Sequence, residues 1–278
     1  MCRAVPVAVG EPPAFEALGA ASRNGSWLMV TPQSPAGVPL RCWLAQPQER
    51  PPRGGVLVLP EVFGVNAWVR SVAGRLAAEG YVALALPLFA RTAPELELAY
   101  DEASLLEGRS HKQRTSSDTL VVDLAAAAAG LRPYLPDPAA GLGCVGFCFG
   151  GHVAFLAATL PAVAASCAFY GAGVAQGRPG GGPPSLGLLP AIAGRLLCCC
   201  GDADPLIPES DVLAIEAALD RANQLRAAAS SSRPPHQLRR FTGAGHGFMC
   251  ESRADFRSAA AAEGWRAMLG FFEESLLA

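Results

Sequence analysis

The stretch Gly146-Phe147-Cys148-Phe149-Gly150 places a thiol between two glycines, after a continuous apolar run at residues 142–147 and before a helix-like run at 149–160. A small-x-nucleophile-x-small pattern at a strand-to-helix turn lifts its central side chain above the sheet. That residue adopts a strained backbone, and the neighbouring chain approaches too closely to admit a Cβ on either side. At the start of a helix the macrodipole also favours thiolate over thiol. Cys148 is therefore a candidate nucleophile for covalent catalysis.

Such a nucleophile needs a base, and the chain has four histidines. His111 lies in a polar connection, His152 sits on the helix that follows Cys148, and His236 begins a strand beside two prolines. His246 is different, because it lies in Gly243-Ala244-Gly245-His246-Gly247-Phe248, between the last strand and the last helix. A glycine-rich loop there can deliver an imidazole over the sheet edge. The base in turn needs a carboxylate to fix its tautomer. Residues 196–200 run into Gly201-Asp202-Ala203-Asp204-Pro205, where Asp202 and Asp204 both qualify by position. Nucleophile, acid and histidine follow one another in the order found in α/β-hydrolases.

The elements that must position these residues alternate. Apolar runs at 56–60 (VLVLP), 81–86, 142–147, 165–169 and 196–200 read as strands, as does 237–241. Helical patterns cover 66–80, 118–131, 149–160, 209–226 and 255–276, the first capped by Asn66. Strands apolar throughout are buried on both faces, so the expected fold is α/β, a doubly wound, mostly parallel sheet with helices on each side. Residues 27–30 and 38–44 precede the first strand-helix pair without a helix between them and read as an antiparallel edge hairpin. Residues 1–24 read as a loosely ordered extension, and 25–278 as a single domain. Residues 177–184 (GRPGGGPP) and 227–235 read as surface loops.

Composition narrows the function. The 278 residues are 51% hydrophobic and 17% charged, which excludes a disordered chain. A net charge of -2 lacks the positive excess that neutralising phosphates needs, so no nucleic-acid partner is expected. Lys112 is the only lysine, preceded by Ser110 and His111 instead of a glycine loop, so there is no phosphate-cradling loop. The glycines at 141, 143 and 146 match a dinucleotide fingerprint in spacing. They precede or lie within a strand instead of following it, and no acid appears before Asp202, so no cofactor is expected. Residues 138–177 carry no Asp, Glu, Lys or Arg, but glycines and Pro161 interrupt them, and no membrane span is expected. Nine cysteines, an odd count in a long chain, read as reduced thiols in a cytoplasmic protein. Consecutive strand residues point to opposite faces, so Cys198, Cys199 and Cys200 do not converge on a metal.

Beyond these readings the chain resembles the dienelactone hydrolase family, cysteine-dependent α/β-hydrolases that open unsaturated lactones. The resemblance runs from about residue 27 onward. It rests on Pro60-Glu61-Val62-Phe63-Gly64-Val65-Asn66, Pro87-Leu88-Phe89-Ala90-Arg91, the Gly146 to Gly151 elbow, Asp204-Pro-Leu-Ile-Pro208 and Gly245-His246-Gly-Phe248.

The resemblance implies hydrolysis of a small lactone or carboxylic ester through a cysteine thioester, by a monomer or small homo-oligomer. Cys148 would be nucleophile, His246 base and Asp204 the orienting acid, with Asp202 a turn residue. Glu61 would touch the resting thiol and help deprotonate it when substrate displaces the carboxylate. The backbone N–H groups of Val62 and Phe149 would form the oxyanion hole, and Arg91 would grip a substrate carboxylate. The chain departs from the family at the second arginine, four residues after the histidine. Cys250 stands there, and Arg253 follows three positions later. Two other readings of the same residues are a promiscuous esterase for neutral esters and a non-catalytic, redox-sensing thiol module.

Overall fold

The computed structural model describes residues 25–229 and 234–276; the proposed N-terminal extension lies outside them, as does part of the loop expected at 227–235. Eight strands form one sheet: β1 (Ser26–Val30), β2 (Leu40–Ala45), β3 (Gly54–Leu59), β4 (Tyr81–Ala85), β5 (Leu142–Phe147), β6 (Val163–Phe169), β7 (Arg195–Gly201) and β8 (Gln237–Phe241). Their order is β1-β2-β4-β3-β5-β6-β7-β8. The β1-β2 pair and the β2-β4 pair are antiparallel, and every pair from β4 to β8 is parallel. The expected edge hairpin is present, with β1 outermost.

Helices α1 (Ala67–Ala78), α2 (Glu102–Gln113), α3 (Ser117–Leu131), α4 (Phe149–Ala158), α5 (Glu209–Ala228) and α6 (Ser258–Leu276) connect or follow the strands. Asn66 caps α1 as expected, its side-chain oxygen accepting from the Val69 N–H. Two glycines show why the central strands are apolar throughout. A Cβ on Gly143 would meet Leu276 and Phe272 of α6, whereas a Cβ on Gly55 would meet Leu131 of α3. Gly143 pairs with Val56, the neighbour of Gly55, so these two helices cover opposite faces. Every residue of β3, β4 and β5 is accordingly buried.

One element departs from the sequence reading. His111 lies in the last turn of α2 and is buried, where a polar connection was expected. Asp101 caps this helix by accepting from the Ser104 N–H at 2.8 Å. The helix carries little apolar surface because its buried residues are Gly108 and His111, and neither registers as a hydrophobic stripe.

The parallel order reverses between β3 and β5, one leading to β4 and the other to β6. In open α/β sheets the crevice at such a switch point, beyond the carboxyl ends of the strands, is where ligands bind. The segments following β3, β5, β7 and β8 carry Glu61, Cys148, Asp204 and His246.

Candidate active site

Cys148 sits between β5 and α4 with φ 54 and ψ -114. A non-glycine residue in that region is strained and persists only where its surroundings hold it. Both flanking glycines are needed for close approach: a Cβ on Gly146 would lie 1.9 Å from the Gly150 carbonyl oxygen, and one on Gly150 would lie 2.2 Å from that of Leu59. The Cys148 N–H donates to the Phe169 carbonyl at 3.1 Å, tying the turn to β6. The side chain is half-buried.

His246 meets the sulfur from the loop after β8. Its Nε2 lies 3.0 Å from Cys148 Sγ. On the other side of the ring, Nδ1 lies 2.8 Å from Asp204 Oδ2, so that the ring N–H donates to the carboxylate. The second Asp204 oxygen accepts from the Leu206 N–H at 2.8 Å, which fixes the carboxylate. Burial by itself would depress the imidazole. The Cys148 sulfur and the hydrogen bonds to Asp204 and Cys148 outweigh it and push the ring up to about 10. Asp202 instead accepts from the Gly243 N–H at 2.6 Å and holds a turn.

Glu61 is fully buried just beyond β3. Its Oε1 accepts from Arg253 Nη1 at 3.0 Å, and its Oε2 has no hydrogen-bond partner. Burial raises this carboxyl above the ordinary glutamate value, while the positive charges of Arg253 and His246 oppose the rise. The resemblance leads one to expect Glu61 against the resting thiol. In this structure the sulfur faces His246 and Glu61 faces Arg253, because a buried carboxylate is stabilised by a counter-charge more than by a thiol. Arg253 lies where Gly247 leaves space: at φ +92, a Cβ on Gly247 would be 2.5 Å from the Arg253 Nε.

Val62 and Phe149 are both buried beside this cluster. Phe149 is the first residue of α4, so its N–H has no acceptor within the helix. Arg91 is not brought to the cluster by any of its hydrogen bonds. Its guanidinium donates to Asp123 of α3 and, at 2.9 Å, to the Ala36 carbonyl. Two residues were missed from sequence. Tyr170, at φ 38, packs edge-on against His246 with ring centroids 5.3 Å apart. Tyr100 is half-buried, with the Glu61 charge among its surroundings. Tyr170 could have been found by the reasoning that located Cys148, since it directly follows a buried parallel strand.

A family model matches residues 40–276 and is described as the dienelactone hydrolase family. The chain belongs to the dienelactone hydrolase family. A Synechocystis protein provisionally named carboxymethylenebutenolidase is 37% identical over 221 residues, covering 80% of this chain and 86% of that one. The carboxymethylenebutenolidase of Pseudomonas putida is 28% identical over 208 residues, covering 74% and 80%. A crystal structure from Klebsiella pneumoniae, provisionally identified as a dienelactone hydrolase, superposes with a TM-score of 0.73 at 25% identity. It covers 90% of this chain and 99% of that one. As a dienelactone hydrolase family member with the α/β-hydrolase fold, the chain is a hydrolase of ester or lactone bonds acting on small molecules.

Proposed function

We propose that this family member hydrolyses a small lactone or carboxylic ester through a thioester on Cys148. His246, pushed up to about 10, already holds the thiol's proton when Sγ attacks the carbonyl carbon, and the imidazolium is stabilised by Asp204. The N–H groups of Phe149 and Val62 hold the oxyanion of the tetrahedral intermediate. As that intermediate collapses, His246 returns the proton to the departing alkoxide, leaving the acyl group on sulfur. A water then gives its proton to His246 and attacks the thioester carbon. The C–S bond breaks, the proton taken from water stays on His246 beside the freed sulfur, and the acid is released. For a lactone both product groups leave on one molecule.

The observation that carries this reading is the unbroken chain Asp204, His246, Cys148, with contacts of 2.8 and 3.0 Å at the start of α4. A redox-sensing thiol needs neither the oriented imidazole nor the buried carboxylate behind it. The Glu61–Arg253 pair supports a substrate-operated switch: a ligand that draws Arg253 away leaves a buried carboxylate whose ordinary response is to take up a proton. Eight free cysteines among the described residues support a reducing, cytoplasmic setting.

The test is rapid acid quench of the purified chain with a chromogenic ester, followed by intact-mass measurement. An acyl adduct is expected on the wild type and absent from Cys148→Ala, with turnover reduced to background. Wild-type turnover by Cys148→Ala would remove the nucleophile and the mechanism with it.

A further inference from the structure

Helix α2, which the sequence reading left as a polar connection, lies across both residues proposed to form the oxyanion hole. Gly108 is pressed against Val62 so closely that a Cβ there would lie 2.3 Å from the Val62 carbonyl oxygen. Residues four apart share one face of a helix, and four residues on from Gly108 is Lys112. Its ammonium lies 5.6 Å from the centroid of the Phe149 ring. Between them His111 stacks on Phe89 at 5.7 Å, and Phe89 stacks on Phe149 at 5.6 Å. One helical face therefore seats against Val62 and brings a positive charge over Phe149.

That charge differs from the other two cations considered for the site. Arg91 is paired with Asp123, and Arg253 with Glu61 and Asp255. Lys112 is exposed, and no acid among the described residues makes an ion pair with it. Its field reaches His152, one turn along α4 from Cys148, where burial foremost and the ammonium in addition hold the imidazole down to about 4. Lys112 is also the only lysine among 22 basic residues. A lysine here supplies a point charge with three donors on a flexible stem, suited to following a substrate group that an arginine fork would hold in a single plane.

We propose that Lys112 is the specificity-determining cation of this hydrolase, selecting esters and lactones that carry a carboxylate on the acyl portion. It attracts that anion to the Phe149 side of the pocket, whereas Arg91 and Arg253 serve partners within the protein. The assignment rests on the hydrolase mechanism proposed above, so the experiment separates the two.

Purified wild type, Lys112→Gln, Lys112→Arg and Lys112→Glu are compared on 4-nitrophenyl butyrate and mono-4-nitrophenyl glutarate, a neutral and an anionic acyl group of similar length. For an exposed charge, Lys112→Gln is expected to lower kcat/KM on the glutarate ester about 3- to 5-fold, mainly through KM. On the butyrate ester it is expected to stay within about twofold. Lys112→Arg retains most of the anionic preference and Lys112→Glu reverses it. The wild-type preference shrinks when salt is raised from roughly 20 to 300 mM, as screening requires. Equal effects of Lys112→Gln on both esters, or none on either, overturn the assignment while the wild type still turns over both. A folded wild type that turns over neither ester takes down the mechanism and this assignment together.

Discussion

Removing the guanidinium of Arg91 tests whether this residue serves the fold or the substrate. The Asp123 side chain is 1% exposed and that of Arg91 26% exposed. Asp123 Oδ2 is the oxygen that accepts from Arg91, while Oδ1 has no hydrogen-bond partner. In Arg91→Gln the carboxylate stays buried without its counter-charge. Breaking a buried pair from one side costs about 3–5 kcal/mol, and the partial exposure of Arg91 places this pair at about 3. At roughly 2–4 °C per kcal/mol for a domain of this size, Tm falls by about 6–12 °C. The loss depends on pH with a definite sign. Burial already holds the Asp123 carboxyl above its ordinary value, and Arg91 is what lowers it. Without Arg91 the folded-state value rises further above the unfolded one, so the destabilisation grows as pH rises through the unfolded value toward the folded one. Urea denaturation followed by tryptophan fluorescence should therefore show a larger deficit at pH 7.5 than at pH 5. Arg91→Leu with Asp123→Leu should recover most of it. A stability loss below about 0.5 kcal/mol at pH 7.5, together with a raised KM for anionic esters alone, would refute this reasoning and return Arg91 to the substrate.

Asp204→Asn and His246→Ala should each lower kcat by about 1,000-fold or more, while Asp202→Asn, which loses a turn contact to Gly243, stays within about tenfold. Steady-state rates on one ester check this, and the reverse ranking would move the acid two residues back. Gly108→Ala should lower kcat by about 100-fold with a smaller change in KM. The new methyl collides with the Val62 carbonyl and displaces an oxyanion donor. A fully active Gly108→Ala variant would show that Val62 does not hold the oxyanion.

Much of the fold is legible because its signals are local. The β5 to α4 turn is written in five consecutive residues, and the apolar runs of β3, β4 and β5 announce strands covered on both sides. Helix α2 was missed for a physical reason. It docks through a glycine and a histidine, and close backbone approach leaves no hydrophobic periodicity to read. The choice between Asp202 and Asp204 was open on position alone. The path of the loop after β7 separates the two, turning the Asp202 carboxylate to the Gly243 N–H and that of Asp204 to His246.

By itself the sequence determined which residue types stand at the ends of which strands, and in what order: cysteine after β5, aspartates after β7, histidine after β8. It also determined that Cys148 would occupy a strained turn, since backbone sterics confined to Gly146 through Gly150 require it. Only the tertiary structure decided where the charges go. Arg91 meets Asp123 across 32 residues and Arg253 meets Glu61 across 192, and Lys112 comes to rest over Phe149. A charge in a sequence carries no indication of its partner, because desolvation selects the partner only after the sheet and helices have closed around both.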